Sequence, residues 1–353
     1  MKKLPRLKRR KTSSESEASN RITNETVAEH REQILAGGKR FKYPMQYSRH
    51  RLVIVTLIIS VIAVIAITVI TWWQLYPMQN SSTFFYRVTR VVPLPVASVD
   101  GWQVPYSDYL SVFRSQEHYV QTKEGTSLYS KENKQRLDLT KRKSLDEVIT
   151  DSYASKLAKE MGVDISKERV DEAIKRQRES RDGVASQEAY DAIVLDQFNW
   201  TPAEAREATA RKLLRQEVAY KIDKDAVIQR DQVLEKLKVE NDFNKLALMI
   251  KPIGEARVQA SVTPLVPNTN QDGGQAEMAS KLKIGQVSKP FRSTTGDGYY
   301  IVKLLQKDNN SRISYASLKI PLTTFNKWLS KIKNDHKIHE YISVPEVKDP
   351  TSV

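Results

Sequence analysis

From Leu52 to Ile70 the chain reads LVIVTLIISVIAVIAITVI, nineteen residues without a charge, and no charged side chain follows until Arg87. At about 1.5 Å of rise per residue, roughly twenty helical residues cross the ~30 Å hydrocarbon core of a bilayer. A helix satisfies its own backbone, as any segment in lipid must. The pattern therefore predicts a single transmembrane helix over residues 52–76. The run is longer than the ~7–15 apolar residues of a cleaved leader, and no small-x-small site follows closely, so an uncleaved signal anchor is expected. Arg49, His50 and Arg51 fence one end, and Trp72, Trp73 and Tyr76 stand where an aromatic belt lies at the other.

Beyond it the period changes twice. Residues 77–95 read as a juxtamembrane linker. VASVDGWQV then sets two short apolar runs around the turn dipeptide Asp100-Gly101. Tyr106, Leu110, Phe113 and Val120 mark an amphipathic helix, and residues 122–142 a polar loop or helix extension. Ser144 and Glu147 form a capping box ahead of Leu145, Val148, Ile149 and Leu157, with Gly162 as C-cap. Ser166 opens a helix ending near Asp182-Gly183, and Ser186 opens another to Phe198. Thr201-Pro202-x-Glu204 is the clearest helix start in the chain. Val227–Met249 predicts two helical pieces broken near Glu240-Asn241, Lys251–Gly274 a long loop, and Ala276–Leu282 a short helix. Tyr299–Leu305 and Ile313–Ile320 are strand-like, Asp308-Asn309-Asn310 between them predicts a hairpin, and Phe325–Ile342 returns to helix. The fold class is thus a membrane-anchored chain: one N-terminal transmembrane helix, a mostly α-helical domain over 96–225, and a small α+β domain with an antiparallel sheet over 226–345. Residues 346–353 are expected to be a flexible C-terminus.

Charge sharpens the topology. The chain of 353 residues carries +15, and residues 1–51 alone hold 14 Lys or Arg against 5 Glu, or +9. Low apolar content and high charge predict a disordered basic tail there, attracted to anionic lipid head groups. The same charge attracts any polyanion and so indicates no specific nucleic acid. Lys39, Arg40, Lys42, Arg49 and Arg51 precede the helix without an acid, against only Arg87 and Arg90 soon after it. Lys and Arg favour the cytoplasmic side, which places the N-terminus inside and both domains outside the cell membrane.

The absence of cysteine excludes disulfides, catalytic thiols and Cys-based metal sites. His336 and His339, three apart, could share a helix face, but no third ligand pattern lies near them; they read as surface residues, and neither metal nor cofactor is expected. No Gly-rich phosphate loop, nucleophile elbow or HExxH motif occurs.

VASVDGWQVPYSDYL resembles the opening of SurA/PrsA-type extracytoplasmic chaperones, LDEVITDSYASKLAKEMGVDISKERVDEAI their next helix pair, and FNWTPAEAREATARKLLRQEVAYKI the helix that closes their N-terminal domain. Behind it, DFNKLALMI, KLKIGQVSKPF and GDGYYIVKLL are similar to ordered segments of parvulin-type peptidyl-prolyl isomerases. The resemblance departs where the chemistry sits. Tyr300 stands at one family histidine. If ISYASLKI supplies the family's first strand from the far end, Ser317 stands at the other. Gln275 and Ser280 replace the phenylalanines of the proline pocket, and the G-G-D-L-G-W loop has no counterpart.

Isomerisation lowers a barrier of ~18–20 kcal/mol about the imide bond and requires a dry pocket with fixed polar groups. The resemblance therefore implies a degenerate parvulin domain without catalytic residues. The leading expectation is a membrane-anchored chaperone or foldase-like protein that binds unfolded, newly exported polypeptides between its two domains. Phe243, Leu246, Met278, Leu282, Tyr299 and Tyr300 are the candidate peptide-binding residues, with one of the two tyrosines in the core and the other exposed. Two further readings stay open: a working parvulin-type isomerase, and a structural or adhesion module of the cell envelope.

Overall fold

The computed structural model describes residues 24–42, 44–180, 183–309 and 311–346. Contacts divide the chain into two units, residues 1–70 and 71–353. The first holds α1 (Asn24–Lys42) and most of α2 (Pro44–Leu75). Where a disordered tail was expected, residues 24–42 form a helix; TVAEHREQIL is rich in good helix formers and carries Glu25 in its first turn. Residues 1–23 and 347–353 lie outside the described residues.

Within α2, His50–Leu75 is long and apolar enough to cross a membrane, and the chain buries none of its most apolar window. The hydroxyls of Thr56, Ser60 and Thr68 donate to carbonyls one turn back, so these three need no outside partner. The helix fits a membrane anchor or a signal sequence.

The second unit opens with α3 (Thr83–Val91), which lies inside the stretch expected to be a linker. It folds because Phe85, Tyr86 and Thr89 share one face that packs inward. Then follow β1 (Pro95–Val99) and β2 (Trp102–Pro105), joined through Asp100-Gly101, then α4 (Tyr106–Lys123) and α5 (Lys134–Met161). The expected start of α5 at Ser144 is ten residues late. KQRLDLTKRK is made largely of residues that lose little rotamer freedom in a helix, and Ser144 lies buried in mid-helix instead of capping. Gly162 does end α5, in the left-handed conformation at φ 62°, where a side chain would be strained.

α6 (Lys167–Gln177) stops sooner than expected at a two-residue hairpin, β3 (Glu179–Ser180) and β4 (Gly183–Val184). α7 (Gln187–Phe198) and α8 (Pro202–Ile222) begin at their expected caps, Ser186 and Thr201, the latter with both bonds of a capping box. α9 (Lys224–Lys236) and α10 (Phe243–Met249) are the two expected pieces.

A sheet then forms from β5 (Gln259–Pro267), β6 (Phe291–Arg292), β7 (Gly298–Lys307) and β8 (Arg312–Pro321), with α11 (Gln275–Ser280) between β5 and β6. The order is β5-β8-β7-β6, antiparallel throughout. Ile313–Ile320 is therefore a central strand. β5 lies in the expected loop 251–274. It is an edge strand, and its ladder shifts register between Thr263 and Val266, leaving Pro264 in the irregularity where a missing N–H costs least.

The chain finally turns back. α12 (Thr324–Asn334) ends well short of Ile342, His336 takes a left-handed φ of 53°, and β9 (Ile338–Glu340) pairs with Ala97–Val99. His336 and His339 consequently share no helix face. Residues 226–345 are not one compact piece: Phe325, Ile332, Ile342 and Val344 belong to the core of Val96, Tyr106, Phe113, Leu145 and Val218. Asp223 secures the return, its buried carboxylate accepting from the amides of Ala226, Thr323 and Thr324 at 2.7–2.9 Å.

Candidate functional site

Helical lobe and sheet lobe meet around a cleft of about 500 Å³. One wall is α6 and α8, contributing Arg169, Ala173, Arg176, Lys212 and Gln216; the other is the Asn268–Gln271 turn with Arg292 and Ser293–Thr295. Capping residues Ser166 and Thr201 fix where α6 and α8 begin, and Val170, Ala173, Ile174 and Leu213 bury the apolar stripe between them. The cleft floor is the edge of that small core, Ala173 and Leu213, together with Tyr220.

Tyr220 ties the lobes. Its phenol donates to the carbonyl of Gly298 at 2.5 Å, its ring meets Tyr299 edge-on at 5.2 Å, and the Arg292 guanidinium lies 4.7 Å over its face. Burial pushes the Tyr220 phenol above its ordinary value, so it stays protonated as a donor. Glu217, one helical turn before Lys221, joins Arg169 of α6 at 2.8 Å to Arg292 of β6 at 3.0 Å. Burial opposes charge on Glu217, but the two guanidinium groups outweigh it and hold its carboxyl below the usual range. The cleft geometry is thus held by a shared carboxylate and a stacked arginine.

What remains available is sequence-tolerant. Arg176 and Lys212 are exposed at the mouth and form no ion pair among the described residues, while Glu172 and Glu179 supply opposite charge nearby. Asn268, Asn270, Gln271 and Gln216 bring side-chain amides, which donate and accept alike. An apolar floor with an amide-rich, mixed-charge rim suits an extended backbone carrying varied side chains.

The residues expected to bind peptide do not converge here. Phe243, Leu246 and Tyr299 lie in the core between α9, α10 and one face of the sheet, and Leu246 is fully buried. Met278 and Leu282 pack on the opposite face under α11, where the Tyr300 ring stacks on Phe291 at 6.2 Å. Both tyrosines are buried, because α9 and α10 cover one face of the strand, and α11 and β6 the other. Phe243 lines an open groove of about 470 Å³ beside Val262, Lys303 and Leu305.

Tyr300 and Ser317 do share a face. Tyr300 pairs across to Lys319, and Ser317 lies two residues along the same strand. Both are committed to neighbours. The Tyr300 phenol donates to Asp297 at 2.9 Å, and the hydroxyls of Ser317 and Ser261 are 2.9 Å apart. Asp297 also accepts from Thr295 at 2.7 Å and pairs with Lys319 at 2.6 Å. Burial alone would raise its carboxyl, but Lys319 and the hydroxyl donors hold it well below the usual carboxylate range. Gln275 binds the carbonyl of Asp272 at 2.7 Å, and Ser280 that of Glu277 at 2.8 Å.

Sequence reasoning missed the cleft-lining residues of α6, α8 and the 268–274 turn. The one local signal was the Asn/Gln/Gly-rich run ending at Gly273-Gly274, which reads only as a loop until its neighbours are known. No curated protein matches the chain. Residues 45–219, from the start of α2 to the last turn of α8, match the family model described as a SurA-like N-terminal domain.

Proposed function

We propose that the chain is a membrane-anchored chaperone whose two lobes hold unfolded, newly exported polypeptides outside the cell membrane. The observation that carries this reading is the inter-lobe cleft, walled on one side by the last helix of the SurA-like domain. Its apolar floor takes side chains, its amides take backbone, and neither selects a sequence. Anchoring rests on the apolar His50–Leu75 stretch, whose most apolar window the chain leaves uncovered, and orientation on the Lys and Arg that precede it. The basic residues ahead of α2 would add attraction to anionic lipid on the inner side.

The sheet lobe is read as a degenerate parvulin-like domain. Its central strand, Ile313–Ile320, pairs on both sides and could stand in, from the far end, for the family's initial strand. At the two family histidine positions the side chains are engaged with Asp297 and Ser261, which favours a binding role over turnover of the imide bond.

The full chain in nanodiscs tests the proposal. It is expected to slow aggregation of a denatured client at stoichiometric ratio, and a photo-crosslinker at Gln216 should capture that client. Unchanged aggregation together with no crosslink would remove the chaperone reading. Protease added to intact cells is expected to digest residues beyond the membrane helix and spare the basic leader; the reverse pattern would overturn the orientation.

A further inference from the structure

α3 presents two different faces. Inward, Thr89 is buried, Arg90 makes a bidentate pair with Glu207 at 2.7 and 2.9 Å, and Tyr86 bonds to Glu204 beneath the Arg114 guanidinium. Outward lie Phe84, Arg87, Val88 and Val91, spaced by three and four residues and therefore on one side of the helix. Phe84 is 67% exposed and Val91 83%, and Val92 continues the strip. The helix contains no acidic residue. An outward face this apolar, with a cation on its flank, is not the polar face a soluble helix turns to water.

The path into α3 identifies what covers that face. Leu75 is fully buried in the helical lobe, while Trp72 and Trp73, one turn earlier, are half exposed. A helical turn advances about 5 Å, and the head-group layer of a bilayer is about 5–7 Å thick on each side. The connection between α2 and α3 is short and folded back: the amide and side chain of Asn80 both bond Gln74 at 2.9 Å, and α3 starts three residues later.

Resting on the reading of α2 as a membrane span, we propose that the outer face of α3 lies in the head-group layer of the same bilayer. Phe84, Val88 and Val91 enter the acyl boundary, and Arg87 snorkels to lipid phosphate. The lobe is then held by a spanning helix and an interfacial one, which fixes its orientation over the membrane.

The absence of cysteine makes the test direct. Single-cysteine variants of the full chain, Phe84→Cys, Val91→Cys, Ile62→Cys and, in the exposed turn between α9 and α10, Val239→Cys, are spin-labelled in phosphatidylcholine–phosphatidylglycerol vesicles. Accessibility to oxygen is compared with accessibility to a water-soluble nickel chelate. Labels at 84 and 91 are expected to favour oxygen severalfold more than the label at 239, and less than the label at 62. If 84 and 91 match 239 while 62 is in lipid, α3 lies in water and the proposal falls, with the anchor intact. If 62 also behaves as 239, the anchor reading fails and takes the proposal with it. Exclusion of both reagents from 84 and 91 would put a protein on that face and overturn the lipid assignment. Val91 is the more exposed of the two, so its variant stands if the Phe84 substitution disturbs the ring contact with Phe85.

Discussion

The phenol of Tyr106 donates to the backbone carbonyl of Leu75 at 2.5 Å, with both residues fully buried. This bond completes the end of α2. A helix leaves its last four carbonyls without intrahelical partners. Here the carbonyls of Trp72, Trp73 and Gln74 accept from the amides of Tyr76, Met78 and Asn80, and Leu75 accepts from Tyr106. The apolar helix enters the lobe without a frayed turn.

Tyr106→Phe keeps the ring and its edge-on contacts with Tyr76 and Tyr109 but strands the Leu75 carbonyl. A buried acceptor left unpaired costs about 1–3 kcal/mol. The variant is expected to melt a few degrees lower than the parent by circular dichroism in detergent. An unchanged melting temperature would mean that water replaces the phenol there.

Gly298 opens β7 at φ 157°, and a Cβ at this position would lie 2.3 Å from the carbonyl oxygen of Ile320. Backbone cannot yield as a side chain does, so Gly298→Ala must part the start of the β7–β8 ladder and disturb the Tyr220 bond. Gly285, with φ 80° and open space around it, serves as the reference, since its substitution carries only the left-handed strain of about 1–2 kcal/mol. The urea midpoint of Gly298→Ala is expected to fall clearly below that of Gly285→Ala. Equal midpoints would show that the ladder begins later than Gly298.

The parts of this fold that were legible in the sequence are those whose determinants are local. Thr201, Pro202 and Glu204 start α8, Gly162 ends α5, and the strand-like runs YYIVKLL and ISYASLKI on either side of Asp308-Asn309-Asn310 give a hairpin. β5 and β9 were not legible, because each owes its strand state to a partner far along the chain: Ser261 opposite Ser317, and His339 opposite Ser98. α3 was hidden for a related reason. Its FFY run prolongs the uncharged stretch after the apolar helix α2, and its helical face is defined by Glu204 and Glu207, more than a hundred residues away. The cleft suffers most from this, since Ala173, Leu213 and Asn270 come from three separate segments and none carries a motif.

Acid stability follows from Asp297. Its carboxyl titrates below its unfolded value, so the stabilisation it contributes is present at neutral pH. That contribution is lost as pH falls below the unfolded value of ~3.9 toward the folded one. Asp297→Asn is expected to be less stable than the parent at pH 7 and to approach it below about pH 4. The difference between the two chemical denaturation curves, followed from pH 7 to pH 3, isolates this group from the other carboxylates. A difference that stays constant over that range would show that Asp297 acts through geometry alone.

The exposed cations at the mouth of the cleft predict a charge preference among clients. Arg176 and Lys212 are free to meet a ligand, whereas Arg169 and Arg292 are held by Glu217. An exposed ion pair is worth about 0.2–1 kcal/mol, so Arg176→Glu with Lys212→Glu should weaken an acidic unfolded peptide by roughly two- to thirtyfold at low salt. A basic peptide should bind more tightly by a similar factor, and a neutral one should change little. Because charges at a rim are screened over about 8–10 Å at physiological salt, the effect should shrink as salt rises, while the melting temperature stays that of the parent. Fluorescence anisotropy with three peptides of equal length and apolar content, titrated at several salt concentrations, reads the three affinities and their salt dependence, and a thermal melt reads the stability. If the double variant weakened all three peptides equally at every salt concentration, the two cations would be shaping the cleft rather than meeting the client.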